Sequence, residues 1–247
     1  MRELLQKDFN MFVNNYVNTK EFNSFLYNRC YENSTNIDFL YNHFQKSGPY
    51  AYGELAFRYF WLIILNELKS NAKILEIGVY KGSTLSLFRL ISNYLNSQFD
   101  IFGLTPLNET GDKYSTYHTS NYSEDIKNLH SLFHLSHESY TIFNGLSTNE
   151  ELKESIRNQH KFDLVYVDGG HDYDTVINDI EFTDQILEVN GFLITDDSSS
   201  GLDFPPDFIG FRGHSDVNLA LNDNQTLKEK YIHLFACGHN RCWKKIK

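Results

Sequence analysis

The feature that most constrains the fold is an alternation that begins near residue 73. Short apolar runs that end at Gly or Asp alternate with longer amphipathic segments. The runs span residues 74–79, 101–104, 140–143, 164–167 and 192–195, and the segments between them span 83–95, 123–135, 150–159 and 174–187. Such short runs are typical of strands buried on both faces, and amphipathic segments of this length are typical of helices. The alternation predicts an α/β fold with a mostly parallel sheet and helices on both faces.

The two ends of the chain follow other patterns. Runs 233–236 and 242–246 are joined by a Gly-His-Asn turn, which predicts an antiparallel hairpin at one edge of the sheet. Aromatic and aliphatic residues in segment 9–16 recur at helical spacing. We therefore expect a helical N-terminal extension over residues 1–70 and an α/β domain over residues 71–247. The extension is expected to form a cap over the site or a contact between subunits of a homo-oligomer.

Composition excludes several classes of protein. The chain has 32 Asp and Glu against 22 Lys and Arg, a formal net charge of −10, whereas nucleic acid and anionic membranes attract clustered positive charge. The longest apolar run, 59–65, is far shorter than the roughly 20 residues of a membrane span. The N-terminal segment MRELLQKDFNMF has no apolar signal core, and three cysteines do not make a disulfide framework. We expect a cytoplasmic globular protein with a small-molecule partner.

The first predicted strand leads into a glycine-containing turn. Ligands of open parallel sheets bind beyond the carboxyl ends of the strands, and here Glu76 is followed by Gly78, Gly82 and Ser83. Glycine lets backbone approach a ligand closely, and a helix beginning near Ser83 offers free N–H groups. The turn therefore predicts nucleotide binding, with a tight turn capped by Ser83 as the alternative. It lacks the Gly-x-Gly-x-x-Gly pattern of dinucleotide-binding enzymes.

Acidic residues follow two other predicted strands. Asp168 comes after the fourth run, and Asp196 and Asp197 come after the fifth. Neighbouring strands lie about 4.8 Å apart, so these carboxylates are expected close together, where they repel unless a cation lies between them. Oxygen ligands favour Mg²⁺, Mn²⁺ or Ca²⁺ over zinc. The alternative is that Asp197 and Ser198 cap a following turn and Asp168 alone contacts a ligand.

Three further positions carry polar or metal-binding side chains. His171 follows Asp168 by three residues and is a candidate general base, with a surface histidine as the alternative. Ser147 follows the third run, where a polar residue often meets a purine ring, although an ordinary turn also explains it. The Cys-x-His-x-x-Cys pattern at 237–242 has no fourth ligand, which favours buried strand cysteines over a zinc site.

The segments LEIGVYKGST, FDLVYVDGGHDYDTVINDI and GFLITDDSS resemble class I S-adenosylmethionine-dependent methyltransferases over about residues 70–247. Within the class they are most similar to metal-dependent O-methyltransferases in which an Asp-Gly-x-His segment precedes an acidic pair. Those enzymes include methyltransferases of macrolide sugars and proteins of polysaccharide clusters. The resemblance implies a Rossmann-like domain with a seven-stranded sheet, S-adenosylmethionine as cofactor, and a divalent cation, Mg²⁺ ahead of Mn²⁺ or Ca²⁺.

The resemblance also implies roles for individual residues. The cofactor-binding residues would be Glu76, Gly78, Gly82, Ser83, Thr105, Ser147 and Asp168, the metal ligands Asp168, Asp196 and Asp197, and the catalytic residues Asp168 and His171, the latter as general base. One position departs from the family pattern, because the second strand usually ends in an acid that binds the ribose and here ends in Thr105. Either Thr105 makes a weaker contact, or Glu109 or Asp112 reaches the ribose from the following loop.

Two segments are expected to border the acceptor. An aromatic loop over residues 202–218 would close over it, with Arg212 or His214 as a contact. Tyr50 and Tyr52 would form the other wall or a subunit contact. The polar loop 108–121 suits a sugar, so the expected function is methylation of a hydroxyl of a sugar or glycosylated small molecule. The alternatives are a catechol-like phenol as acceptor, and a non-catalytic methyltransferase-like scaffold whose cofactor site is lost at Thr105.

Overall fold

A seven-stranded sheet with helices on both faces organises the chain in a computed structural model that describes residues 2–51, 53–117, 121–205 and 210–247. The strands are β1 (Lys73–Ile77), β2 (Asp100–Thr105), β3 (Thr110–Gly111), β4 (Thr116–Tyr117), β5 (Thr141–Asn144), β6 (Phe162–Val167), β7 (Leu187–Thr195), β8 (Tyr231–Cys237) and β9 (Asn240–Lys245). The helices are α1 (Arg2–Asn15), α2 (Lys20–Asn36), α3 (Asp38–Ser47), α4 (Ala56–Asn66), α5 (Ser83–Tyr94), α6 (Tyr122–Leu132), α7 (Glu150–Gln159), α8 (Tyr173–Ile186), α9 (Ser215–Asp223) and α10 (Gln225–Lys230), with a 3₁₀ turn at Gly48–Tyr50.

The strand order confirms the α/β fold. The order is β5-β2-β1-β6-β7-β9-β8, and β9 pairs antiparallel with both of its neighbours while the other pairs are parallel. The terminal hairpin therefore lies at one edge of the sheet. The order reverses at β1, which pairs with β2 on one side and with β6 on the other. The crevice beyond the carboxyl end of β1 is where such a sheet places its ligand site.

The register of three central strands brings their ends to one level. Ile77 of β1 pairs with Val167 of β6, and Val167 pairs with Thr195 of β7. The residues that follow these positions, Asp168 and Asp196, therefore leave the sheet side by side. This confirms the expectation that the strands before the two acidic segments are neighbours.

The N-terminal helices pack against one face of the sheet. Every residue of α4 is buried, and the ring of Trp61 contacts the rings of Phe88 in α5 and Tyr166 in β6, each at a centroid distance of 4.8 Å. Apolar residues of α1 to α5 and of the strands form one continuous core cluster. A second cluster, formed largely with α8, α9 and α10, covers the opposite face.

Two segments differ from the expected loops. The aromatic loop predicted over 202–218 is wrong from Ser215 onward, where α9 begins; residues 206–209 lie outside the described part of the chain. The buried residues of α9, which are Val217, Ala220 and Leu221, follow helical spacing, a pattern that the nearby aromatic residues obscured. Within the polar loop 108–121, β3 and β4 form a short antiparallel ribbon. No helix among the described residues has the length and apolar composition of a membrane span.

Candidate functional site

A cavity of about 880 Å³ lies beyond the carboxyl ends of the central strands. Predicted site residues that line it are Glu76, Gly78, Ser83, Thr105, Ser147, Asp168, His171, Asp196 and Asp197. The remaining one, Gly82, lies at the N-terminal end of α5 beside the same cavity wall. The residues predicted from the strand ends therefore lie around one cavity.

The turn after β1 requires glycine for two reasons. Gly78 has a φ of +94°, and a Cβ atom there would lie 1.9 Å from the carbonyl oxygen of Asp168. Gly82 has a φ of +82° and precedes the first residue of α5, with the side chain of Ile126 3.0 Å from where a Cβ would be. Positive φ is strained for residues with a side chain. The turn therefore passes close to β6 and leaves the start of α5 facing the cavity.

The cavity wall at β1 carries a buried acid and a buried cation. Glu76 is 3% exposed, and its Oε2 has no hydrogen-bond partner among the described residues. Burial raises the pKa of Glu76 to about 8, although a hydrogen bond with Thr84 opposes this shift. Arg58 of α4 is also 3% exposed and donates from Nη1 to the carbonyl of Gly53 at 2.7 Å, while its Nε lacks a partner. Arg58 reaches the wall from α4 in the N-terminal extension, and no motif of the sequence points to it.

The end of β2 does not bring an acid to the cavity. The Thr105 hydroxyl donates to the Val79 carbonyl at 2.9 Å, which ties the end of β2 to the glycine turn. Glu109 is exposed, and Asp112 lines the cavity but is hydrogen-bonded to His171. Ser147 borders the cavity and forms a hydrogen bond with Asp179 of α8. Thr105 therefore lines the cavity at the end of β2, where the family resemblance leads one to expect an acid.

Asp168, Asp196 and Asp197, here called the acidic triad, meet at the ends of β6 and β7. Asp168 and Asp196 share a side-chain hydrogen bond, and burial together with the nearby carboxylates raises the pKa of Asp168 well above its usual range. Burial also opposes ionisation of Asp197, but hydrogen bonds from His171 and His239 outweigh it and hold the pKa of Asp197 well below its usual range. Protonation and imidazole partners thus relieve the repulsion among the three groups.

His171 is held between two carboxylates. Its Nδ1 lies 2.7 Å from Oδ2 of Asp112, and its Nε2 lies 3.1 Å from Oδ2 of Asp197. Burial lowers the pKa of His171, but the hydrogen bonds and charges of the two acids raise it to about 9. Asp112 is itself fixed by the backbone N–H groups of Tyr114 and His171, each at 2.7 Å. Asp112, which the sequence suggested as a ribose contact, is therefore the partner of His171 in the structure.

Two further histidines reach the acidic triad. His239, on the turn between β8 and β9, places Nδ1 2.7 Å from Oδ1 of Asp196 and 3.0 Å from Oδ1 of Asp197. Burial lowers the pKa of His239, and the two carboxylates raise it to about 10. His214 places Nε2 3.4 Å from Oδ2 of Asp197 and stacks on the ring of Tyr114. The sequence predicts the hairpin but not that β9 pairs with β7, and this pairing is what brings His239 to the site.

The remaining sequence-based candidates are the two hairpin cysteines, Arg212, Tyr50 and Tyr52. Cys237 and Cys242 are buried, as expected for strand cysteines, and the His/Cys/Asp/Glu clusters found among the described residues contain no cysteine. Arg212 donates to the Pro205 carbonyl at 3.1 Å. Tyr50 lines the cavity, whereas Tyr52 lies outside the described residues.

Several solved structures share this fold. The O-methyltransferase NovP has 13% sequence identity and a TM-score of 0.53 over 75% of each chain. The S-adenosylhomocysteine-bound methyltransferase PaMTH1 of Podospora anserina has 15% identity and a TM-score of 0.60 over 89% of this chain and 94% of that one. MycE from the mycinamycin biosynthetic pathway, in complex with Mg and S-adenosylhomocysteine, has 16% identity and a TM-score of 0.51. That match covers 83% of this chain and about half, 54%, of MycE.

Sequence comparison assigns the family directly. A search of curated proteins finds no match. A family model described as a methyltransferase domain matches residues 75–198, about half of the chain. The matched segment runs from β1 to the end of β7 and contains the glycine turn, the acidic triad and His171. The chain therefore belongs to this methyltransferase domain family and has the fold of class I S-adenosylmethionine-dependent methyltransferases.

Proposed function

We propose that this protein is an S-adenosylmethionine-dependent O-methyltransferase, assisted by a divalent cation, that methylates a hydroxyl of a sugar or glycosylated small molecule. The observation that carries the proposal is the meeting of the acidic triad with His171 in the cavity that the glycine turn borders. Carboxylates and an imidazole suit activation of a hydroxyl group. The O-methyltransferase NovP and the Mg-containing MycE complex are consistent with this chemistry.

The wall beside β1 fits the amino-acid end of the cofactor. That end is a zwitterion, and the unpaired Oε2 of Glu76 suits its ammonium group. Arg58 lines the same cavity and has an unpaired Nε, so its guanidinium suits the carboxylate. S-adenosylmethionine supplies a methyl group on a sulfonium, and these two residues would set the position of that methyl group relative to the acceptor.

The acidic triad fits a divalent cation. Its carboxylates lie at adjacent strand ends, where like charges repel, and a cation between them would relieve that repulsion. A cation bound there would lower the pKa of a coordinated acceptor hydroxyl. The protein's own contribution is to hold three oxygen donors on the rigid ends of β6 and β7, which fixes where an acceptor oxygen can lie.

His171 is the proposed general base. Its Nε2 donates to Asp197 in this structure, so it would first have to release that proton to solvent before it could accept the proton of the acceptor hydroxyl. This release would be favoured when Asp197 holds a cation, because positive charge nearby lowers the pKa of an imidazole. Asp112 accepts a hydrogen bond from Nδ1 and stabilises the resulting imidazolium. The imidazole is thus oriented by a carboxylate on the side away from the acceptor, an arrangement that favours proton transfer at Nε2.

The first test is calorimetric titration with S-adenosylhomocysteine, with Mg²⁺ and after chelation. We expect micromolar binding, and methyl transfer to members of a panel of sugar nucleotides, glycosides and catechols.

Asp197→Ala should abolish transfer while largely sparing cofactor binding, and His171→Ala should lower turnover. The matched control is Asp223→Asn, an exposed residue outside the cavity. Full activity of both site variants, or no cofactor binding by folded protein, would overturn the proposal in favour of a scaffold.

A further inference from the structure

His239 occupies a position that nothing in the family resemblance assigns to the metal centre. The turn that precedes β9 carries it to the carboxyl edge of the sheet, because β9 pairs directly with β7. There its Nδ1 faces one oxygen of each of two carboxylates, 2.7 Å from Oδ1 of Asp196 and 3.0 Å from Oδ1 of Asp197. The side chain is 8% exposed, so the imidazole belongs to the floor of the site rather than to its rim.

These spacings fit hydrogen bonds, and they equally fit ligand atoms that share one ion. Adjacent ligand atoms of an octahedral ion with metal–ligand distances of about 2.1 Å lie about 3 Å apart. The donor atoms of Asp196, Asp197 and His239 all fall within 4.8 Å of one another. Asp168 joins them through its hydrogen bond with Asp196. Two carboxylates and one imidazole nitrogen can therefore face a common centre, with Asp168 adjoining them through Asp196.

The orientation of the imidazole is fixed by its surroundings. The edge-on rings of Phe57 and Phe211 lie 4.6 Å and 5.4 Å from its centroid. Gly238 precedes it with a φ of +57°, and a Cβ atom at Gly238 would lie 2.7 Å from the Phe57 ring. Aromatic packing of this kind holds a ligand ring in place. His239 is therefore preorganised to direct Nδ1 at the two carboxylates.

The two carboxylate oxygens of Asp197 face different histidines. Oδ1 faces His239, whereas Oδ2 faces His171 at 3.1 Å and His214 at 3.4 Å. The nitrogen beside Asp196 thus comes from His239, while His171 and His214 lie on the opposite side of Asp197. This separation leaves His171 available for the proton of the acceptor and gives His239 a different task.

We propose that His239 is a nitrogen ligand of the divalent cation held by the acidic triad, and that this mixed donor set favours a transition metal ion such as Mn²⁺ over Mg²⁺. The inference rests on the proposed function, which places the cation there. Imidazole binds first-row transition metal ions well, whereas Mg²⁺ and Ca²⁺ prefer oxygen ligands. Most sites bind transition metal ions more tightly than Mg²⁺. The contribution of His239 is therefore measured as the decrease in the preference for Mn²⁺ over Mg²⁺ when its nitrogen is removed.

The test uses Mn²⁺ as a spectroscopic probe of the whole protein. Pulsed electron paramagnetic resonance of the Mn²⁺ complex should show nitrogen coupling from a coordinated imidazole. His239→Asn should remove this coupling, and His171→Asn and His214→Asn, the matched controls on the other side of Asp197, should retain it. Calorimetry should show that His239→Asn weakens Mn²⁺ binding at least about tenfold and changes Mg²⁺ binding much less.

Each outcome bears on the inference. Mn²⁺ binding without nitrogen coupling in the wild-type protein would overturn it, because His239 would then be only a hydrogen-bonded counter-ion; this result needs no variant to fold. Coupling lost in His214→Asn but kept in His239→Asn would also overturn it. Failure of the wild-type protein to bind either ion while it binds S-adenosylhomocysteine would instead remove the cation from the proposed function, and the inference with it.

Discussion

At the scale of single residues, the most informative group is Glu76, because burial sets its charge. Its pKa is raised to about 8, so the carboxyl is mostly protonated at pH 7 in the free protein, whereas the proposed ammonium partner needs the carboxylate. Affinity for S-adenosylhomocysteine should therefore rise from pH 6.5 to pH 8.5, by at most about tenfold per unit below pH 8. Calorimetric titration at a series of pH values measures this rise.

Glu76→Gln supplies the control for that prediction. The amide does not titrate, so its binding profile should be flatter than that of the wild-type protein. 5′-Methylthioadenosine lacks the amino-acid end and should bind both proteins with similar pH dependence. Identical profiles of wild type and Glu76→Gln for S-adenosylhomocysteine would show that Glu76 does not meet the ammonium group.

A second prediction concerns the partner of His171. Asp112→Asn replaces the carboxylate that lies 2.7 Å from Nδ1, so the imidazolium formed on proton transfer loses its stabilising charge. We expect turnover to fall at least about tenfold while the dissociation constant for S-adenosylhomocysteine stays nearly unchanged. Steady-state kinetics and calorimetry separate the two effects, with Asp223→Asn as the unaffected control. Unchanged turnover would leave Asp112 with a purely structural role.

The residues that sequence reasoning found and missed differ in how they reach the site. Asp168 and Asp196 directly follow buried strands, so the periodicity that predicts the strands also locates them. Asp112, His214 and His239 arrive from a ribbon, a loop and a hairpin turn. The path of such segments depends on tertiary contacts, which local pattern does not encode. Candidate ligands at strand ends were therefore predictable, and their partners were not.

At the scale of elements, the central strands β1, β6 and the carboxyl half of β7 were predictable because they are buried on both faces. β6 and the carboxyl half of β7 are nearly continuous apolar runs, whereas α9 mixes polar and apolar residues and follows an aromatic segment. The first residues of α9 were assigned to a loop because only three apolar residues, Val217, Ala220 and Leu221, mark its buried face. The central strands of the sheet could thus be predicted from the sequence, whereas α9 and the β3–β4 ribbon could not.

The glycine turn gives a prediction at this scale. Gly78→Ala introduces a Cβ 1.9 Å from the Asp168 carbonyl at a φ of +94°, so β1 and β6 must separate where the cofactor is expected. We predict a loss of more than about 2 kcal/mol of unfolding free energy and weaker binding of S-adenosylhomocysteine. Urea denaturation and calorimetry measure these changes.

Gly48→Ala is the matched control, since a Cβ there would meet nothing within 4 Å and its φ is −44°. Its stability should change by no more than about 0.5 kcal/mol. If both substitutions had the same small effect, the close passage of the turn over β6 would not constrain the fold.

At the scale of the whole molecule, the question is whether residues 1–70 form a separate unit. Residues of α1 to α4 share one apolar cluster with strands of the sheet. Removal of the helices would expose that face of β1, β6 and β7 to water, at a cost that grows with the apolar area. We therefore expect the extension and the α/β domain, whose boundary at residue 70 remains a prediction, to unfold together.

The two tryptophans of the chain allow a direct test, because they report on opposite ends of it. Trp61 lies in α4 and packs on Tyr166 of β6, whereas Trp243 lies in β9 and donates from Nε1 to Thr195 at 3.2 Å. In Trp243→Phe, the fluorescence of Trp61 should change at the same urea concentration as the far-ultraviolet circular dichroism. In Trp61→Phe, the fluorescence of Trp243 should coincide with circular dichroism as well.

Comparing two signals within each variant removes the effect of the substitution on stability. Coincident transitions in both variants indicate one cooperative unit, in which the N-terminal helices hold the sheet face behind the cofactor wall. A Trp61 transition at lower urea than the circular dichroism of the same variant would instead show that the extension unfolds first. Arg58 on α4 would then leave the cavity wall, so affinity for S-adenosylhomocysteine should fall at the urea concentration where the Trp61 signal changes.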